Sequence, residues 1–486
     1  MINLENTALF KDKAYIDGIW KSAQNGKTFV VTNPYNQQEL AQVSDFGPED
    51  IPPVIKAAES AFHIWKKKTA AERAIILRKW YELQIEHAED LARILTTEQG
   101  KPFPEALGEI KYGASFVEWF AEEAKRVYGD VIPGHGEDKR IVVIKQPIGV
   151  VVAITPWNFP NAMITRKVAP ALAAGCSVVI KPSEETPLSA LALAVLAEKA
   201  GIPKGVFNIV TTTDSANVGK VLTDSPVVKK LSFTGSTPVG KQLMRQSADT
   251  VKKISLELGG NAPFIVFDDA VLEEAVQGAI ASKYRNAGQT CVCANRIYVQ
   301  EGIYDAFVAL FTEEVRKLKV GNGFEEGVEI GPLINSKAVQ KVNSLIDDAL
   351  EKGGKIKLGA KSESNENTLF QPTIMSDVTS EMKFAKEEIF GPVAPIFKFK
   401  TDEEVIEAAN NTEYGLASYF YGNNMNRVWK VAEGLEYGMV GINTGMISTA
   451  VAPFGGIKES GNGREGSKYG MDDFLEIKYL CFGGVQ

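Results

Sequence analysis

Three histidines (His63, His87, His135) and four cysteines (Cys176, Cys291, Cys293, Cys481) are all that 486 residues hold of either type. Four cysteines are too few for a disulfide scaffold; they fit a reducing compartment, where a cysteine can be catalytic. No metal is expected. Uninterrupted apolar runs fall short of the roughly 18 residues that a membrane span needs. The segment Met1–Asn6 has neither a basic stretch nor an apolar one, so no secretory signal is expected. An excess of positive charge is missing too: 61 acidic against 53 basic residues give a net charge of −8. A nucleic-acid binder would show a basic domain or stripe. The run Lys66-Lys67-Lys68, beside Glu72 and Arg73 at a helix start, reads as a solvated face. Repeats, low-complexity blocks and Pro/Gly-rich linkers are absent as well. What remains is an ordinary globular composition, 44% hydrophobic and 23% charged. The length suits about three domains of ~150 residues. The expectation is a cytoplasmic α/β enzyme without membrane or nucleic-acid partners.

From about Thr69 to Val127 apolar residues recur at helical spacing, as in Ala74–Trp80. After Arg140 the period changes. Short apolar runs bounded by turn residues alternate with helical stretches: Gly149–Ile154, Ser177–Lys181, Val206–Val210, Lys230–Phe233 and Ile254–Leu256. Buried parallel strands look like this, and the alternation predicts a doubly wound sheet. A second set follows at Ala262–Phe267, Arg296–Val299, Ala394–Phe399, Ala417–Tyr421 and Met439–Ile442, with helices such as Leu272–Arg285 and Val339–Leu350 between. Two further alternating runs, Arg140–Lys145 and Phe474–Leu480, read as strands outside both sheets, suited to an antiparallel ribbon or a subunit contact.

Two motifs mislead. Gly461-Asn462-Gly463-Arg464-Glu465-Gly466 matches G-x-G-x-x-G but does not follow a strand in a βαβ unit. Gly235–Lys241 matches G-x-x-x-x-G-K, yet Gln242 stands where a P-loop needs a hydroxyl for Mg²⁺. The stretch reads better as a strand ending at Thr234-Gly235-Ser236, with Thr237 as N-cap and Pro238 at the first helical position. Free amides and the positive dipole end then face the carboxyl edge of a parallel strand, where a pyrophosphate can bind.

Four segments carry chemistry. Cys291, in Gly288-Gln289-Thr290-Cys291, sits in a polar turn after a helix, where a thiol can face a cleft and become a thiolate. Glu257 stands at a strand end between leucines, either satisfied by amides or held as a general base with a raised pKa. Asn158, in Thr155-Pro156-Trp157-Asn158-Phe159-Pro160, follows a strand; its amide can donate to an oxyanion or bond local backbone. Lys181 and Glu184 sit where another strand meets its loop, on the edge that holds ligands in open α/β sheets.

Together these segments closely resemble the NAD(P)-dependent aldehyde dehydrogenase superfamily, from about residue 14 to 482. Six ordered motifs carry the likeness: the turn at Pro156, Phe-Thr-Gly-Ser at Phe233, Leu-Glu-Leu-Gly-Gly at Leu256, Gly-Gln-Thr-Cys at Gly288, Glu387–Pro392, and Pro453–Gly456. The resemblance implies two doubly wound α/β domains, a Rossmann-like cofactor domain and a catalytic domain, plus a small β oligomerisation ribbon. The implied spans are 1–124 with 148–259 for the cofactor, 260–459 for catalysis, and 125–147 with 470–486 for the ribbon. It implies that Cys291 attacks an aldehyde, that Asn158 and the Cys291 amide hold the oxyanion, and that Glu257 activates water against a thioester once hydride has left. Cofactor contacts are implied at Thr155, Pro156, Trp157, Lys181, Glu184, Gly235, Ser236, Glu388 and Phe390.

Within the superfamily, Ser282–Arg296, Met163–Lys167 and Glu476–Cys481 are very like succinate-semialdehyde dehydrogenases. That likeness implies Arg166, Arg285 and Ser448, with Phe454, around the substrate's distal carboxylate, as guanidinium forks suit. The loop Met446–Val451 departs from the pattern and bears on pocket length, so glutarate semialdehyde is the alternative substrate. A carboxylate at Glu184 favours a free ribose 2′-hydroxyl and repels a 2′-phosphate, which points to NAD, with NADP as the alternative. A homodimer or homotetramer is implied. Cys293, two residues after the nucleophile, is either packing or a redox partner that closes a strained disulfide, as in relatives with a Cys-x-Cys pattern.

Overall fold

The computed structural model describes residues 2–360 and 368–485; the outermost residues of the expected first and last spans, Met1 and Gln486, lie outside them. Val150–Ile154 and Ser177–Lys181 are Val/Ile-rich and buried at every position, as strands covered on both faces must be. They lie parallel to each other and to Phe207–Ile209, Val228–Thr234 and Lys253–Glu257. The sheet runs Ile19–Lys21, Ala14–Ile16, Phe207–Ile209, Ser177–Lys181, Val150–Ile154, Val228–Thr234, Lys253–Glu257, Gly461–Asn462. Its three outer pairings, two at Ala14–Ile16 and one at Gly461–Asn462, are antiparallel.

From Val150–Ile154 the chain steps to one side through Ser177–Lys181 and Phe207–Ile209, then returns to the other side at Val228–Thr234. The strand order therefore reverses between Val150–Ile154 and Val228–Thr234. Loops leaving neighbouring strands on opposite sides of such a point separate and open a crevice at the carboxyl edge. Thr155–Asn158 and Gly235–Ser236 flank it.

The second sheet runs Lys355–Leu358, Thr373–Ser376, Val393–Phe399, Ala294–Gln300, Ala262–Val266, Ala417–Tyr421, Met439–Ile442, parallel except at Lys355–Leu358. Each sheet has its own buried apolar packing. Only residues 258–261 join Lys253–Glu257 to Ala262–Val266, so the carboxyl edge of one sheet faces the amino edge of the other. Gly260 permits the approach: a Cβ there would run into the Cys291 carbonyl oxygen.

The helical stretch after Thr69 resolves into Ala70–Glu86, Ala88–Gln99 and Phe103–Glu123. Thr69 and Glu72 form a reciprocal cap at its start, and Gly100 at φ +92° ends the second helix. The two outlying runs pair with one another: Leu475–Phe482 lies antiparallel to Arg140–Pro147, and a third strand, Asp130–Ile132, joins them. Ile477 and Tyr479 are exposed on the outermost strand. Among the described residues no helix is long and apolar enough to cross a membrane.

Candidate active site

Four helices follow strands of the first sheet, and three have their first amides occupied. Glu109 accepts from the N–H groups of Asn161 and Ala162 (3.0 and 3.2 Å) at Ala162–Ala174. Glu98 accepts from Leu188 and Ser189 (2.8 and 2.7 Å) at Pro187–Ala200. Asp214 accepts from Asn217 at Ser215–Asp224. Among the described residues no side chain caps the fourth helix, Thr237–Ser247. Its N-cap is Ser236, not Thr237. Ser236 keeps an extended backbone while Pro238 falls at the second helical position, where no N–H is needed, and the Thr237 hydroxyl donates to the Glu459 carbonyl. This helix therefore offers its positive end to an anion.

It does so at a cavity of about 370 Å³ in the crevice. Pro156, Trp157, Asn158, Gly235 and Ser236 line it from the first sheet; Cys291, Glu388 and Phe390 line it from the second. Trp157 and Phe390 meet edge to face at 5.5 Å. Glu388 accepts from the Gly260 N–H (3.0 Å), and burial raises its carboxyl. Thr155 is buried at the end of its strand, its N–H donating to the Lys181 carbonyl. Lys181 and Glu184 lie outside the cavity wall, paired at 3.3 Å, with the Ser215 hydroxyl also on the Glu184 carboxylate. Neither misleading motif works as its pattern suggests. Lys241 is paired with Glu459 at 2.5 Å, and Gly461–Asn462 is an edge strand followed by a 3-10 turn.

The turn carrying Cys291 is strained. Asn286, Ala287 and Gly288 all have left-handed backbone (φ 51°, 55° and 75°), which costs roughly 1–3 kcal/mol at each non-glycine position. At Gly288 a Cβ would also strike the Gly391 carbonyl. Buried amides hold the turn. Gln289 donates to the carbonyls of Asn286 and Pro332 (3.1 and 3.3 Å) and accepts from the Ile334 N–H (2.9 Å). The Asn158 amide donates to the Gln289 carbonyl (3.0 Å), and Asn286 donates back to the Asn158 carbonyl (2.9 Å). Nucleophile candidate and oxyanion donor candidate thus share one hydrogen-bonded unit.

The polar turn suggested a readily ionised thiol; the tertiary setting opposes that. Burial pushes Cys291 up to about 12, and Glu388 and Glu257 add to it, while Arg166 and Arg285 pull it down. Glu257 is buried with no hydrogen-bond partner on either oxygen among the described residues. Burial first, then the charge of Glu465, holds its carboxyl well above the ordinary range. The reading in which backbone amides satisfy this carboxyl finds no such amide among the described residues. Its carboxyl packs beside Gly455 rather than on the cavity wall.

A second cavity of about 320 Å³ holds Arg285, Ser448, Tyr112 and Phe159. Arg166 is not on its wall. It is fully buried, 2.7 Å from Glu465, stacked over Phe454 at 3.9 Å, with Nη1 donating to the Tyr112 hydroxyl (3.5 Å). Glu465 also pairs with Lys167 at 2.5 Å. Tyr112 and Glu465 escaped the sequence reading, as did Lys101, Glu105 and Glu109. Glu105, Glu109 and Tyr112 recur at helical spacing within Phe103–Glu123, a signal that one face of that helix carries polar groups. Cys291 and Cys293 are both free thiols. Cys293 is buried and donates to the Lys283 carbonyl (3.4 Å), a contact that closing a Cys291–Cys293 bond would have to break. Among the described residues no group of three or more His, Cys, Asp or Glu is placed to hold a metal.

Comparison with known proteins places the chain in a family. Residues 20–480 match the model of the aldehyde dehydrogenase family. Over 484 residues, covering all of both chains, the sequence is 60% identical to glutarate-semialdehyde dehydrogenase of Pseudomonas aeruginosa. It is also 60% identical to succinate-semialdehyde dehydrogenase [NADP(+)] of Escherichia coli, over 99% of this chain and 100% of that one. A crystal structure described as an E. coli NADP-dependent enzyme superposes with a TM-score of 0.98 at 59% identity, covering 99% of this chain and 100% of that chain. With its doubly wound sheets, its cysteine turn and this full-length match, the chain belongs to the aldehyde dehydrogenase family.

Proposed function

We propose that this aldehyde dehydrogenase oxidises succinate semialdehyde to succinate, with NAD as the preferred hydride acceptor. The observation that carries the reading is the single cavity in which Cys291 and Asn158 face an uncapped helix N-terminus. That N-terminus, with Gly235 and Ser236 beside it, fits a pyrophosphate, and Trp157, Glu388 and Phe390 would hold the nicotinamide half. Bound NAD supplies the hydride acceptor. The rest falls to the protein. Cys291 gives its proton to water and its sulfur bonds the aldehyde carbon; the Asn158 amide and the Cys291 N–H receive the negative oxygen. After oxidation the cysteine holds a thioester, and Glu257, as carboxylate, takes a proton from the water that cleaves it. Arg285 and Ser448 bind the distal carboxylate, and Tyr112 links them to Arg166, which Glu465 and Phe454 keep in place.

Glutarate semialdehyde, one carbon longer, is the second reading, because a relative of equal identity is named for it. Formation of reduced cofactor from both semialdehydes and from butanal tests the assignment. Either carboxylated aldehyde should exceed butanal in kcat/KM by about 100-fold, since the site's cationic and hydroxyl donors are left without a partner by the uncharged chain. Equal efficiencies would remove Arg285 and Ser448 from substrate binding.

The preference for NAD rests on Glu184, whose carboxylate neutralises Lys181 and would repel a 2′-phosphate. Glu184→Ser should free Lys181 and move the NADP/NAD ratio of kcat/KM upward by roughly tenfold. An unchanged ratio would show that this pair does not face the ribose.

The outer edge of Leu475–Phe482, with Ile477 and Tyr479 exposed, is a strand edge that needs covering. Pairing with a second copy gives a homodimer or homotetramer. Light scattering at micromolar protein should report twice or four times the chain mass; a stable monomer would overturn the assignment.

A further inference from the structure

The mechanism leaves unused a row of polar groups on the wall of the second cavity: Lys101, Glu105 and Glu109. Lys101 and Glu109 are paired at 2.6 Å, Lys101 donates to the Asn158 carbonyl (2.8 Å), and Glu109 caps the helix that begins at Ala162. Both are thus committed to the frame around Asn158. Glu105 is different. Its Oε2 accepts the backbone N–H of Asn286 (2.9 Å), the first left-handed residue of the turn that carries Cys291.

Strained left-handed residues persist only where surrounding contacts over-determine them. Asn286 has its side chain held by Gln99 (3.1 Å) and by the Asn158 carbonyl. Its backbone N–H is held by Glu105. Removing that acceptor leaves a buried N–H unpaired next to a backbone already out of its preferred region. Relaxation would swing Ala287 and Gly288, and with them the thiol five residues downstream.

We infer that Glu105 is a positioning residue: it joins the wall of the substrate cavity to the turn that aims Cys291, so that the nucleophile keeps its place against Asn158. The inference rests on the reading of Cys291 as nucleophile. The bond requires an acceptor at that reach, not a charge. Glutamine therefore replaces glutamate, and alanine or a shorter acid does not.

The test uses the full-length enzyme with Glu105→Ala, Glu105→Gln and Glu105→Asp. Three quantities are read: the burst rate of reduced cofactor from succinate semialdehyde, the KM for NAD, and the rate of Cys291 alkylation by iodoacetamide. Glu105→Ala should slow the burst about 10- to 100-fold, as a displacement of about 1 Å does, and alter the alkylation rate, with KM for NAD unchanged. Glu105→Gln should restore most of the burst rate. Should the alanine variant fail to fold, Glu105→Asp, which keeps the charge and withdraws the acceptor, should show the slowed burst. A wild-type burst rate in Glu105→Ala or Glu105→Asp, or a rate in Glu105→Gln as low as in Glu105→Ala, overturns the inference. Failure of the underlying reading looks different: Cys291→Ala would then still form reduced cofactor from the aldehyde.

Discussion

Cys291→Ala should form no reduced cofactor from any aldehyde while binding NAD as the wild type does. Among the described residues the thiol is the one cysteine on the wall of the cavity, and the adjacent uncapped helix end, Gly235 and Ser236 make no use of it. Loss of turnover should be at least 10⁴-fold, since a covalent step with no substitute group is removed. Equilibrium binding of NAD by fluorescence, alongside steady-state assay, separates the two effects. Turnover within tenfold of wild type would displace Cys291 from its role. The high thiol pKa adds a pH signature. Because burial pushes the Cys291 thiol up to about 12, iodoacetamide alkylation of the free enzyme should accelerate steadily between pH 7 and pH 10.

Glu257→Gln should give one equivalent of reduced cofactor per active site and then stall. An amide cannot accept the proton of the attacking water, so the thioester accumulates; rapid mixing and mass spectrometry of the intact chain would both see it. A wild-type steady state would assign the base elsewhere. Because burial and Glu465 raise the Glu257 carboxyl, the fraction in the working carboxylate form grows as pH rises through that elevated pKa. Deacylation should therefore quicken with pH over that window and fade below it. Stability runs the other way. A carboxyl whose folded-state pKa lies above its unfolded value binds more protons when folded, so its contribution is present at low pH and lost as pH rises through the folded pKa. Glu257→Gln should consequently melt higher than wild type on the alkaline side of the window and show no advantage on the acid side. Such a gain is the usual mark of a group held for chemistry rather than for the fold.

Secondary structure in this chain was legible where burial imposes a local pattern. Val150–Ile154, Ser177–Lys181 and Ala417–Tyr421 are covered on both faces, so they read as continuous apolar runs. The short hairpin Ala14–Ile16 with Ile19–Lys21 and the edge strand Gly461–Asn462 escaped, because two or three residues carry no period. Cys291, Glu257 and Asn158 stood out by residue type at strand and helix ends, and their motifs placed the chain in its family.

What the sequence could not contain is everything that depends on which ends meet. The order reversal between Val150–Ile154 and Val228–Thr234 opens the crevice, and it is a property of strand neighbours rather than of any strand. Glu98, Glu109 and Asp214 close three helix ends and leave the fourth open; two of those carboxylates come from elements at least 52 residues away in sequence from the amides they cap. Glu465, 298 residues from Lys167, meets it at 2.5 Å and sets the field at Glu257. Sequence determined the elements and the reactive groups, because local pattern and residue chemistry are local. Tertiary structure decided which helix receives the anion, how far the thiol and the carboxyl are shifted, and what aims the cysteine, because burial and charge act through space.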